Sequence, residues 1–266
     1  MLQYTIEVNK VLQKEILLAF LAEAGCEGFE EFPDRLVAID AGKGNDAAIK
    51  EILKDYDYTV TEVAEKNWNE EWEKNFQPVI IEGFCTVKAT FHTLEANTRF
   101  NIIITPKMSF GTGHHATTYL MVKQMQFLNL QEKKVLDYGT GTGILAILAE
   151  KMGAEAITAI DIDKWSIENS MENFAENNCN NIAVFQTGIE YIEGEFDIIL
   201  ANINRNVLLE TMHEMAQRLN KGGIVYLSGL LTGDIPLIKA AMANNSLRVT
   251  DTDERNGWCF LKGEKL

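Results

Sequence analysis

The chain has 266 residues, of which 46% are hydrophobic, and carries a formal net charge of −15. A chain of this length and apolar content can bury a large core, which argues against disorder, and its acidity disfavours nucleic-acid binding, which needs a dense basic patch. Its four cysteines are far apart and its four histidines lack metal-ligand spacing, so we expect reduced thiols and no metal site.

Residues 1–65 predict a small α+β domain of the ferredoxin-like type. A strand-like run is followed by a helical pattern that stops at Gly25, and Pro33 and Asp34 separate two further strand-like runs. A second helix, for which Asn45 is a suitable N-cap, precedes a fourth strand. The resulting order is βαββαβ. Domains of this type often bind partners, although the fold alone does not determine function.

Residues 66–106 predict a structured linker. Trp68 and Trp72 stand four residues apart on a short predicted helix, and strand-like segments follow. This spacing favours an apolar stripe that packs between domains, and a substrate cage is the alternative. The glutamates around the two tryptophans favour a solvated face, with contact to a basic substrate as the alternative.

Residues 107–266 predict an α/β domain. Strand-like and helical runs alternate from the helix near His115 onwards, and the chain closes with two strands around Asn256 and Gly257. A parallel sheet that ends in an antiparallel hairpin is typical of the Rossmann-like fold of class I methyltransferases, and less typical of nicotinamide dehydrogenases.

The most informative segment is a glycine turn. Asp137 ends a short apolar strand, and Gly139, Gly141 and Gly143 follow at alternate positions before a helical run. Strand, glycine turn and helix open a nucleotide-binding βαβ unit, in which the missing Cβ atoms let a cofactor approach the backbone. The spacing DxGxGxG lacks the extra residue of the dinucleotide motif GxGxxG. It therefore favours S-adenosylmethionine, which carries adenosine and a positive charge but no phosphate.

Two polar residues end later strands of this domain. Asp161 follows the glycine turn by about 20 residues, the distance at which an acid receives ribose hydroxyls, although it could instead cap the next helix. Asp163 fits that capping role better. Asn202 ends another strand, so its amide can hold an amine and the cofactor, with a buried structural role as the alternative. Asn204 could equally cap the next helix.

The run FGTGHHATT (110–118), together with the glycine turn, AIDID and ANI, closely resembles the bacterial methyltransferases of large-subunit ribosomal protein eleven. The N-terminal domain and the linker segment WNEEW are similar to that family too, so the resemblance spans nearly the whole chain. It implies that the N-terminal domain recognises the ribosomal protein. The catalytic domain would transfer methyl groups from S-adenosylmethionine to lysine and N-terminal amines.

The resemblance also implies a set of site residues. Carried over by motif, the cofactor contacts are Thr118, Gly139, Asp161 and Asn202, and Asn202 is also the catalytic residue. We expect a cytoplasmic monomer with no membrane span and no direct contact with nucleic acid. The alternatives are a methyltransferase for another substrate, a non-catalytic protein that binds the cofactor, and, least favoured, a nicotinamide oxidoreductase.

Overall fold

The computed structural model describes residues 2–26, 28–40, 45–62, 77–94, 97–105 and 110–266. The chain divides into two compact units, Met1–Asn75 and Phe76–Leu266. Trp68 and Trp72, for which a packing stripe is predicted, lie outside the described residues.

Within its described residues, the first unit contains four strands and two helices: β1 Leu2–Glu7, α1 Val11–Glu23, β2 Gly28–Glu31, β3 Arg35–Asp40, α2 Asp46–Leu53 and β4 Tyr58–Glu62. The strands form an antiparallel sheet in the order β2-β3-β1-β4. This order confirms the predicted ferredoxin-like arrangement. The Asn45 side chain caps α2 by accepting a hydrogen bond from the Ala48 N–H at 3.2 Å, as its residue type predicts.

A small sheet opens the second unit. Its strands are β5 Val79–Ile81, β6 Cys85–Lys88 and β7 Phe100–Ile103. The β5 and β6 strands are antiparallel, whereas β6 and β7 are parallel. The described part of the predicted linker therefore consists mainly of this sheet, and the boundaries given for that linker stay a prediction.

The remaining strands form one seven-stranded sheet: β8 Lys134–Tyr138, β9 Ala156–Asp161, β10 Ile182–Gln186, β11 Phe196–Asn202, β12 Leu219–Leu231, β13 Leu247–Arg255 and β14 Trp258–Lys265. Their order is β10-β9-β8-β11-β12-β14-β13. The first five are parallel, and β14 and β13 add an antiparallel hairpin. The predicted Rossmann-like sheet with a terminal hairpin is confirmed.

Helices of this unit are α3 Ala116–Met125, α4 Ile144–Lys151, α5 Lys164–Glu176, α6 Arg205–Glu210, α7 Met212–Arg218 and α8 Ile235–Asn244. The sequence pattern predicts one helix between Val207 and Arg218, and this prediction is wrong because the helix is interrupted at Thr211. Thr211 has φ −107° and ψ 12°, outside the helical region, although its N–H and its hydroxyl both donate to the Val207 carbonyl, at 2.9 and 2.8 Å.

Both faces of the large sheet are covered, which explains why its central strands are continuously apolar. Val135 and Leu136 are fully buried, yet they belong to hydrophobic clusters on opposite faces. Strand β8 is central: β9 lies on one side of it and β11 on the other. The chain adds β9 and β10 on one side of β8 and then β11 and β12 on the other, so the strand order reverses at β8. At such a reversal the carboxyl ends of the neighbouring strands flank a crevice, and open α/β sheets bind ligands there.

Candidate active site

The three glycines of the turn all adopt positive φ angles: +74° at Gly139, +55° at Gly141 and +81° at Gly143. A Cβ atom at Gly139 would lie 2.2 Å from the Ile203 side chain, and one at Gly143 would lie 2.4 Å from Phe174. The turn therefore requires glycine both for its backbone conformation and because neighbouring segments pack directly against it. Gly139 also lines the crevice, as the sequence predicts.

Asp161 lies at the end of β9 and lines the same crevice. One carboxylate oxygen accepts the Gly141 N–H at 3.0 Å, and the other accepts the Asp163 N–H at 3.0 Å. Asp163 caps α5 instead, accepting from the N–H groups of Trp165 and Ser166. The structure thus leaves Asp161 available to a ligand, since each carboxylate oxygen can accept a second hydrogen bond.

Asn202, at the end of β11, carries an incompletely paired amide. Its Nδ2 donates to the Thr118 hydroxyl at 3.2 Å, while its Oδ1 is buried and has no hydrogen-bond partner among the described residues. Leaving a buried acceptor unpaired costs about 1–3 kcal/mol, so a ligand that donates here recovers that energy. Asn204 caps α6 by accepting from the Asn206 and Val207 N–H groups.

Thr118 occupies a different place from the other predicted residues. The Thr118 side chain is fully buried and does not belong to the cavity wall that the described residues form. The neighbouring Thr117 does belong to that wall. The hydroxyl of Thr118 orients the Asn202 amide. The structure therefore brings Gly139, Asp161 and Asn202 to one cavity and places Thr118 directly against Asn202.

The cavity has a volume of about 410 Å³ and adds residues that sequence reasoning missed. Phe110, His115 and Trp258 stand on its wall, and the His115 ring lies edge-on between the other two, with centroids 5.1 and 4.6 Å away. Trp258 is the first residue of β14, directly after the hairpin turn at Asn256 and Gly257. The sequence places this tryptophan at the start of a strand, but only the pairing of β14 with β12 brings it to the site.

The loop before α3 is hydrogen-bonded to the glycine turn. The Thr142 N–H donates to the Phe110 carbonyl at 3.0 Å, and the Thr142 hydroxyl donates to the Gly111 carbonyl at 2.7 Å. Gly111 has a φ of +114°, and a Cβ atom there would lie 2.7 Å from the Thr142 hydroxyl. These contacts hold Phe110 at the cavity wall.

A second carboxyl group lies beneath the turn. Asp137 is buried, and one oxygen accepts from the Thr140 hydroxyl at 2.7 Å and from the Ala146 N–H at 3.2 Å. Within the described structure, its other oxygen lacks a partner. Burial raises the pKa of Asp137 to about 7, although its two hydrogen bonds by themselves would lower that pKa.

The cavity fits S-adenosylmethionine in its chemistry. Asp161 can accept hydrogen bonds from ribose hydroxyls, and the exposed side chain of Ile162 with those of Ile203 and Val207 supplies apolar surface for an adenine ring. The unpaired Asn202 oxygen can accept from an amine. Among the described residues no group of three potential metal ligands occurs. Nor does any helix in that part of the chain have the length and apolar character to cross a membrane.

Comparison with known proteins identifies close similarity to one family. The family described as Ribosomal protein L11 methyltransferase (PrmA) matches residues 34–266. A ribosomal protein L11 methyltransferase from Bacteroides thetaiotaomicron is 40% identical over 259 residues, covering 93% of this chain and 92% of the relative. The protein of the same name from Porphyromonas gingivalis is 42% identical over 260 residues, covering 93% and 89%.

Solved structures agree with this similarity. The crystal structure of a ribosomal protein L11 methylase from Lactobacillus delbrueckii subsp. bulgaricus has a TM-score of 0.68 and 29% identity. The match covers 72% of this chain and 100% of that one. A methyltransferase from Pyrococcus furiosus has a TM-score of 0.53 at 22% identity, covering 62% and 89%, which supports the fold alone.

Proposed function

Since the chain belongs to the ribosomal protein L11 methyltransferase family, we propose that it methylates lysine and N-terminal amines of ribosomal protein L11. The chain is a methyltransferase whose methyl donor is S-adenosylmethionine. The observation that carries the amine assignment is the buried, unpaired Oδ1 of Asn202 at the cavity. An acceptor there suits a substrate that arrives with an N–H group.

Transfer to an amine requires a neutral nitrogen that is desolvated and aligned with the methyl group. S-adenosylmethionine supplies that methyl group on a positively charged sulfur. Asn202 can accept an N–H bond of the amine and so direct the nitrogen lone pair away from itself. Because an amide is uncharged, it does not raise the pKa of the amine as a carboxylate would. The rings of Phe110 and Trp258 add apolar surface to the wall of the same cavity.

The other predicted residues have distinct proposed roles. Asp161 binds the ribose, and Gly139 lets the cofactor approach the turn. Thr118 acts through Asn202, because its hydroxyl accepts the Asn202 Nδ2–H and thereby fixes the orientation of the amide. This role differs from the direct cofactor contact that the sequence resemblance implies.

We further propose that residues 1–65 recognise the ribosomal protein and that the enzyme acts as a cytoplasmic monomer. The net charge of −15 supports a basic protein substrate and opposes direct contact with nucleic acid. The ferredoxin-like sheet supports a recognition role because it forms a compact unit of its own, separate from the unit that carries the cavity.

The test is intact-mass spectrometry of purified ribosomal protein L11 after incubation with the full-length chain and S-adenosylmethionine. We expect mass increments of one methylene each, and fragmentation to place them on lysine side chains and the N-terminal amine. The Asn202→Ala variant serves as the control for contaminating activity. An unchanged mass, with cofactor binding intact by calorimetry, would show that the substrate is a different one.

A further inference from the structure

Helix α5 carries an unusual stripe of buried amides. Asn169, Asn173 and Asn177 follow one another at intervals of four residues, so they share one helix face, and at most 7% of any of them is exposed. That face of a helix on a sheet is ordinarily apolar, because a buried amide costs free energy unless it is hydrogen-bonded. The stripe therefore needs a structural partner or a functional explanation.

The partner is the extended chain that leaves β7. Asn177 accepts from the Ile103 N–H at 3.0 Å and donates to the Ile103 carbonyl at 2.6 Å. Asn173 accepts from the Thr105 N–H at 2.9 Å, and Asn169 donates to the Thr105 carbonyl at 3.3 Å. Residues 103 and 105 are alternate positions of an extended segment, so the amides pair with it as a neighbouring strand would.

Asn173 makes one contact with the glycine turn that Asn177 does not make. Its Nδ2 donates to the Thr142 carbonyl at 2.8 Å, inside the glycine turn. Thr142 is fully buried, and its own N–H and hydroxyl hold the carbonyls of Phe110 and Gly111. One asparagine thus connects Thr105 to the residue that holds the loop bearing Phe110.

We propose that Asn173 is a positioning residue for the cofactor. It lies outside the cavity wall and acts through Thr142, fixing the glycine turn and the Phe110 loop relative to each other. Asn177 makes two hydrogen bonds with Ile103 and one with the Asn173 carbonyl, but its side chain does not reach the turn, so it provides the control. The proposal rests on the cofactor site of the proposed function and is independent of which substrate receives the methyl group.

The first experiment compares Asn173→Ala with Asn177→Ala in the full chain. Both variants lose hydrogen bonds to the segment Ile103–Thr105, so we expect both to lower the melting temperature. Only Asn173→Ala should weaken S-adenosylmethionine binding by about tenfold or more in calorimetry, a typical size for coupling between positions. Equal dissociation constants for both variants and the unchanged chain would overturn the proposal, as would an equal weakening in both variants.

A second measurement uses the unchanged chain, in case the Asn173 variant fails to fold. If Thr105 is coupled to the cofactor through Asn173 and Thr142, cofactor binding must stabilise the Thr105 N–H bond by reciprocity. Hydrogen exchange followed by NMR should show the Thr105 amide slowed by about tenfold with cofactor, and the Ile103 amide slowed less. Equal protection of the two amides, or none, would contradict the proposal. Absent methylation of ribosomal protein L11 would bear only on the proposed substrate.

Discussion

Asp161 and Asn202 end two strands on either side of β8, yet the structure completes their hydrogen bonding differently. Both oxygens of Asp161 accept backbone N–H groups, at 3.0 Å each. Asn202 is held by a single bond from its nitrogen, and its oxygen is left without a partner in the described structure. The end of the cavity proposed for the cofactor is therefore preorganised by the backbone, whereas the end proposed for the amine depends on side chains.

The largest effect, on turnover, is expected at the incompletely paired amide of Asn202. Asn202→Ala removes the acceptor for the amine, and misalignment of reacting groups lowers turnover by about 100-fold. Steady-state kinetics with the ribosomal protein measure this. Asp163→Ala is the control, since its side chain caps α5 and does not belong to the described cavity wall, so the change should cost about 1 kcal/mol of stability without a comparable loss of turnover. Equal turnover of the two variants would remove Asn202 from the reaction.

The second-largest effect, on cofactor affinity, is expected at Asp161, in the end of the cavity that the backbone preorganises. Asp161→Ala should weaken S-adenosylmethionine binding by roughly 1.5–3 kcal/mol, the range for hydrogen bonds to a charged group. Calorimetry measures this change directly. Asp163→Ala loses the α5 cap and should be destabilised without a change in cofactor affinity. A normal dissociation constant for Asp161→Ala would assign the carboxylate to holding the turn only.

A smaller effect, on kcat, is expected at Thr118, whose hydroxyl holds the Asn202 amide. Thr118→Val keeps the shape of the side chain but loses the acceptor for Asn202 Nδ2, which should lower kcat by about tenfold, or roughly 1.4 kcal/mol. Thr118→Ser keeps the hydroxyl and should restore most of the rate. If Thr118 contacts the cofactor directly, the dissociation constant for S-adenosylmethionine would rise instead, and kcat would change little.

The smallest effect on turnover is expected at Asp137, which should instead change the pH dependence of stability. The pKa of Asp137 is raised to about 7 in the folded chain, above its ordinary value of 3.8. The unfolded chain therefore releases this proton first, and the contribution of Asp137 is full below about pH 4 and lost as pH rises towards 7. Urea unfolding at several pH values should show a flatter profile for Asp137→Asn. Parallel profiles would show that the pKa is not raised.

Local patterns in the sequence predict much of this molecule. The alternation of strands and helices indicates the ferredoxin-like sheet and the large parallel sheet, and the caps Asn45 and Asp163 follow from residue type and position. The break at Thr211 could not be predicted, because it depends on the backbone angles of a single residue, and the apolar pattern continues across it. The sequence alone would present the amides of α5 as a polar helix face, and only the structure shows that Ile103 and Thr105 pair with them.

The sequence by itself determined the fold class, the glycine turn and the residues that end the strands, since these depend on periodicity and on the conformations that glycine alone adopts freely. Only the tertiary structure decided which side chains meet. Trp258 reaches His115 through a long-range strand pairing, and Thr118 meets Asn202 across 84 residues of chain. Such contacts depend on how packed elements come together, and no local spacing encodes that.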